Sequence, residues 1–194
     1  CSPPMRTIKD NARLWDGLKD GTLQTVGTDH CPFFFDGTKP IRYEGKEIAI
    51  SGKELGKDDF TKIPNGLPGI QDRMPVLWTY GVRAGKISAN QFVQLMSTNP
   101  AKIFGLYPRK GALAAGSDAD IAILDPALKM TVRKEMLHET DYSPWEDHEV
   151  DGWPSMTVLR GKVVVEDGRF MSALTDGRYL HRKIADDIRS RPLL

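Results

Sequence analysis

"TLQTVGTDHCPF", Thr22 to Phe33, is the stretch on which the reading of this chain turns. Leu23, Thr25 and Gly27 alternate with Gln24, Val26 and Thr28, which is the period of a strand. The run ends on a carboxylate, Asp29, and breaks at once through His30, Cys31 and Pro32. An aspartate at a strand end commonly does no more than close a turn. At the C-terminal face of an α/β barrel the same position carries chemistry. Ahead of it, "NARLWDGLK" (11–19) sets Leu14, Trp15 and Leu18 at helical spacing and runs into Gly21, a helix stop. Helix, short loop, strand and terminal polar residue form the unit that an α/β barrel repeats, so the expected fold class is α/β.

Working outward, residues 34–60 show no sustained period and read as a long surface loop, with a small hairpin expected within "RYEGKEIAIS" (42–51). In "IPNGLPGIQDRMP" (63–75) three prolines and two glycines oppose regular structure and fix the backbone direction, a setting suited to main-chain hydrogen bonding. Helical spacing returns over 74–83, with Val76, Leu77 and Tyr80 ahead of Gly85. Ser88 and Gln91 make a capping box before "FVQLM", and Asn99-Pro100 reads as an N-cap with proline at the first helical position, closed at Gly105. Beyond Gly111 the pattern becomes β: a strand around Ile121 and Ile123, then strands over 157–159 and 162–165. These reverse at Arg160-Gly161 and Asp167-Gly168. The tail from Thr175 is basic and loosely patterned, a candidate contact with a neighbouring subunit.

Composition removes several classes. The chain has 194 residues, 40% apolar and 27% charged, with a formal net charge of +1, so electrostatics make no case for nucleic acid or an anionic membrane. No apolar run approaches the ~20 residues of a membrane helix. Two cysteines, Cys1 and Cys31, are too few for a disulfide framework, and reduced thiols in the cytoplasm are expected. The opening "CSPPMRTIKD" lacks the basic and apolar regions of a signal peptide. A start on Cys rather than Met suits a piece cut from a longer polypeptide.

Several stretches together resemble one family. In order, "CSPPMR", "GTDHCPF", "GKDDFTKIPNG", "DRMPVLWTYGVRAGKIS", "STNPAKIFGLYPRKG", "GSDADIAILDP", "DYSPWE" and "RGKVVVEDGRF" are similar to the C-terminal portion of dihydropyrimidinases and D-hydantoinases, cyclic-amide hydrolases of the amidohydrolase superfamily. The resemblance implies the C-terminal part of a (β/α)8 TIM barrel over 1–110, part of a β-sandwich over 111–172, and a tail over 173–194 that contacts other subunits. It implies ring-amide hydrolysis of dihydropyrimidines or hydantoins in a cytoplasmic homotetramer.

In that family the residue matching Asp29 ligates one of two bridged divalent metal ions, zinc as a rule, and shuttles the proton. The residues matching Ser2 and Asn65 bind the cyclic imide of the substrate, largely through main-chain groups. Two metal ions can activate water near neutral pH and polarise the attacked carbonyl. Asp29 would carry a proton to the leaving nitrogen.

The family's other ligands are a His-x-His pair, a carboxylated lysine and two further histidines. No His-x-His occurs here, so the resemblance puts these ligands upstream of Cys1, in the N-terminal part of the same polypeptide. Residues 35–56 are longer than in many hydantoinases, with consequences for substrate range or subunit contacts.

The remaining candidates have plainer readings. His30 neighbours Asp29 on a strand and so points to the other face; it is read as structural. Cys31 is read as a small buried apolar residue. His138, His148 and His181 are read as surface or packing residues, Trp78 and Trp145 as core or rim aromatics, and Lys57-Asp58-Asp59 as a solvated loop. The rival function is a non-catalytic scaffold of the kind formed by collapsin response mediator proteins, which lack the metal-site aspartate; Asp29 and Asn65 argue for the enzyme. A self-standing β-rich interaction module ranks last, because it would leave strand edges and apolar faces exposed.

Overall fold

Thr7 starts the first helix by a reciprocal capping box: its hydroxyl accepts from the Asp10 backbone N–H, and the Asp10 carboxylate accepts from the Thr7 N–H at 2.9 Å. In the computed structural model, which describes residues 3–50, 52–138, 140–171 and 177–190, this helix α1 (Ile8–Asp20) ends where Gly21 adopts a left-handed φ of 85°. A hairpin follows, β1 (Ile41–Tyr43) with β2 (Lys46–Ile48), turning on Glu44 and Gly45 at φ 48° and 77°. Two left-handed residues are what a two-residue hairpin needs to match strand twist.

The chain divides into two compact units. The first comprises 1–6, 27–73 and 130–150; the second comprises 7–26, 74–129 and 151–194. In the first unit, Val132 and Val150 are completely buried, and the Val132 N–H donates to the His148 carbonyl at 2.9 Å. The long stretch after Phe34 is pinned to its own unit. The Asp141 carboxylate accepts from the backbone N–H groups of Phe35 (2.7 Å) and Asp36 (3.0 Å). Glu54 accepts from those of Gly37 (2.8 Å) and Gly52 (3.0 Å).

The core of the second unit is built from Leu77, Ile87, Phe92 and Leu95, with Trp15, Leu18, Val26 and Trp78 packed against them. Trp78 meets Phe92 edge-on, centroids 5.3 Å apart, so it is a core aromatic. Helix α2 (Arg73–Leu77) runs on as a π-helical segment over Trp78–Arg83. Ser88 and Gln91 form the expected capping box for α3 (Ala89–Val93).

Helix α3 continues without interruption through a π segment (Gln94–Thr98) into α4 (Asn99–Ile103). This corrects the reading of Asn99-Pro100 as a helix start. Thr98 and Asn99 are both helical in φ and ψ, and Asn99 instead donates its side-chain amide to the Gln24 carbonyl at 2.9 Å. A widened π turn accommodates a proline that lacks an N–H and crowds the preceding turn.

A four-stranded sheet in the order β3-β4-β5-β6 follows: β3 (Ile121–Thr131), β4 (Glu149–Leu159), β5 (Lys162–Glu166) and β6 (Arg169–Phe170). The reversals fall at Arg160-Gly161 and Asp167-Gly168 as the sequence predicts, each pair at positive φ. Part of the tail lies along its own chain, the Lys183 N–H donating to the Gly105 carbonyl at 3.1 Å, before a short helix α5 (Asp186–Ser190).

One expectation fails: residues 22–29 form no strand. Alternation predicts a strand, but a ladder needs a neighbour, and among the described residues the run's end finds only a single parallel bridge, His30 with Leu67. Among the described residues no helix is long and apolar enough to cross a membrane.

Candidate functional site

Asp29 sits at the tip of a local turn. The Thr28 hydroxyl accepts from the His30 backbone N–H at 3.1 Å, and between them Asp29 adopts φ 47°. Aspartate tolerates this left-handed region better than most residues, at a cost of about 1 kcal/mol. Its side chain is exposed and makes no hydrogen bond or ion pair among the described residues.

The next residues lock the turn to the proline-rich segment. The Cys31 N–H donates to the Leu67 carbonyl at 3.2 Å. The His30 ring accepts at Nδ1 from the backbone N–H groups of Gly69 (3.1 Å) and Ile70 (3.3 Å). A ring accepting at Nδ1 carries its proton, when neutral, at Nε2. The structural reading of His30 is therefore realised as a brace between two segments. Cys31 is exposed, which corrects its reading as a buried residue.

That segment carries Asn65, two residues before Leu67 in the bridge, so Asp29 and Asn65 lie on adjoining segments of one unit. Asn65 is exposed, and neither its main chain nor its side-chain amide has a partner among the described residues. Gly66 beside it stands at φ 135°, and a Cβ there would meet the Cys31 carbonyl oxygen at 2.1 Å. Only glycine lets the Asn65 segment approach the Asp29 turn this closely. Ser2, the third candidate, lies outside the described residues.

Lys53 is a residue that sequence reasoning missed. Its ammonium donates to the Pro64 carbonyl and, at 2.7 Å, to the Gly66 carbonyl, while lying 5.6 Å from the centre of the Phe33 ring. Within a loop rich in charge nothing local marks this lysine from Lys57 or Lys62; only the folded contacts do. Behind the segment, Asp72 is 1% exposed and accepts from the Ser143 hydroxyl at 2.8 Å. Burial holds its carboxyl above the ordinary value, the Ser143 bond opposes this, and the charge of Glu146 adds to it.

The histidines elsewhere do not join the site. His138, His148 and His181 are exposed, and Asp59 caps the turn at Phe60–Lys62. Among the described residues no three His, Cys, Asp or Glu side chains come together as a cation site. Asp29 thus fits a metal ion as a single open carboxylate donor, and the described residues do not enclose one by themselves.

The chain is 42% identical over 183 residues to a D-hydantoinase of Rhizobium radiobacter, covering 94% of this chain and 37% of that one. A D-hydantoinase of Geobacillus stearothermophilus is 43% identical over 182 residues, covering 93% and 36%. Among solved structures, a dihydropyrimidinase from Brevibacillus agri superposes with a TM-score of 0.84 at 47% identity, covering 94% of this chain and 37% of that one. The chain therefore spans little more than a third of the length of these relatives. Residues 1–164 match the amidohydrolase family profile, and the chain belongs to the amidohydrolase family.

Proposed function

We propose that this chain is the C-terminal portion of a cyclic amidohydrolase that opens the ring of dihydropyrimidines or hydantoins. The observation that carries the reading is the pairing of Asp29 and Asn65. Two exposed polar residues with no partner among the described residues sit on adjoining segments braced by His30 and Gly66. Likeness to D-hydantoinases and to a dihydropyrimidinase supports the substrate class. A non-catalytic scaffold has no need of the open carboxylate.

In this reading Asp29 is one ligand of a divalent metal pair, zinc by preference, whose other ligands come from the rest of the polypeptide. The metal supplies activation of water and polarisation of the attacked carbonyl. Asp29 accepts the proton that water releases as its oxygen bonds to the ring carbonyl carbon. It then delivers that proton to the ring nitrogen as the C–N bond breaks, so the nitrogen leaves as a neutral amide NH2 still bonded to the other imide carbonyl. Main-chain groups at Asn65, together with Ser2, hold the imide with its carbonyl toward the attacking oxygen. Residues 1–110 are assigned to the barrel, 111–172 to the β-sandwich and 173–194 to a subunit contact of a cytoplasmic homotetramer.

The test is ring opening of hydantoin and dihydrouracil by the full-length protein, before and after removal of divalent metal by chelation. Metal-dependent opening of either ring supports the reading. A metal-loaded, folded protein that opens neither would sink it.

A further inference from the structure

The Asn65 segment owes its shape to a residue eleven or more positions away in the chain. Lys53 presents three N–H donors, and two of them are spent on the carbonyls of Pro64 and Gly66, the residues on either side of Asn65. The lysine is itself seated. It is half-buried, its backbone N–H donates to the Phe34 carbonyl at 2.8 Å, and its ammonium faces the ring of Phe33. A cation over an aromatic face is held there electrostatically. The Gly66 carbonyl is a shared anchor, since the Tyr142 hydroxyl also reaches it at 3.5 Å.

Peptide geometry turns this clamp into an aiming device. The Pro64 carbonyl and the Asn65 N–H belong to one planar trans peptide, so the two groups point in opposite directions. Drawing the Pro64 carbonyl onto the ammonium directs the Asn65 N–H away from it. That N–H is free of other partners among the described residues, as is the Asn65 carbonyl. Bonds from a full cation to two carbonyls are stronger than neutral ones and resist rotation of the peptide.

We propose that Lys53 is a positioning residue of the substrate cradle, setting the orientation of the Asn65 peptide toward the ring imide. The inference rests on the reading of Asn65 as an imide-binding residue. A misoriented donor weakens substrate binding, so the signature of the clamp lies in KM more than in kcat. Arginine at position 53 keeps the charge and can serve two carbonyls; methionine keeps only the stem.

The experiment compares wild type, K53M and K53R in the full-length, metal-loaded protein. It reads kcat and KM for hydantoin, melting temperature, and the orientation of the 64–65 peptide in a crystal structure of each protein. Expected for K53M is a rise in KM of about tenfold with a smaller change in kcat, the wild-type melting temperature, and a rotated 64–65 peptide. K53R should recover most of the KM. Wild-type KM and an unmoved 64–65 peptide in K53M overturn the proposal. So does a loss of activity in K53M and K53R alike that tracks a fall in melting temperature, which would mark Lys53 as a folding residue. If wild type opens no hydantoin ring, the functional reading fails on its own, and the 64–65 peptide in K53M still decides whether the clamp exists.

Discussion

Asp29 combines a left-handed backbone with a carboxylate that contributes nothing visible to the fold, and the two facts together set its prediction. On the proposed function, D29N in the full-length protein should leave the melting temperature unchanged while cutting ring opening by at least about 100-fold, the low end of what a positioned proton-transfer group contributes. Steady-state rates beside a thermal melt check both halves. Asp72 is its opposite, a carboxylate absorbed into structure, with Ser143 as its hydrogen-bond donor. S143A leaves a buried charge with less compensation and should cost about 1–3 kcal/mol, read from urea unfolding at neutral pH. Gly66 shows why residue identity alone says too little. Its requirement comes from the Cys31 carbonyl, which is distant in sequence and near only after folding. The same holds for Lys53, whose two carbonyl partners lie beyond the charged run of 57–59.

At the scale of elements, local chemistry was legible where a cap or turn is complete within a few residues. The Ser88–Gln91 box is of this kind, and its Gln91 amide also donates to the Lys19 carbonyl at 2.8 Å. S88A should cost about 1 kcal/mol, measured as a shift in the denaturant midpoint at constant slope. The hairpins at Arg160-Gly161 and Asp167-Gly168 are likewise local, because paired positive φ values follow from the dipeptide. Asn99-Pro100 misled because a proline after a π turn and a proline at a helix start share one signature. Residues 22–29 misled because alternation reports a side-chain pattern, whereas a strand exists only with a ladder partner. The acidic motif "GSDAD" is structural. Lys110 holds Asp118 at 2.9 Å and bonds Asp120, while Arg109 holds Asp118 at 3.0 Å.

Across the whole molecule, the carboxylates divide by the sign of their pH linkage. Asp10, Asp36 and Asp59 are lowered chiefly by threonine hydroxyls, Asp20 by the Thr22 backbone, Glu54 by the Gly37 backbone, and Asp118 by Lys110. Each binds a proton less readily folded than unfolded. Its contribution to stability is therefore present above its ordinary pKa and lost as pH falls through the folded value. E54Q should be less stable than wild type at neutral pH and approach it in acid, measured by urea unfolding at pH 7 and at about pH 3. Asp72 runs the other way: its raised pKa makes the ionised form a cost at neutral pH, relieved as pH falls through the folded value. D72N should accordingly raise the melting temperature at pH 7 and lose that advantage in acid. By itself the sequence determined the α/β class, the Ser88 cap and the tight turns, since these depend on contacts within a few residues or on a long ordered set of motifs. Only the tertiary structure decided that the segments bearing Asp29 and Asn65 adjoin, that His30 ties the two and Lys53 clamps the second, and that Asn99 lies inside a helix. Those outcomes hang on hydrogen bonds between segments tens of residues apart, whose partners no local pattern encodes.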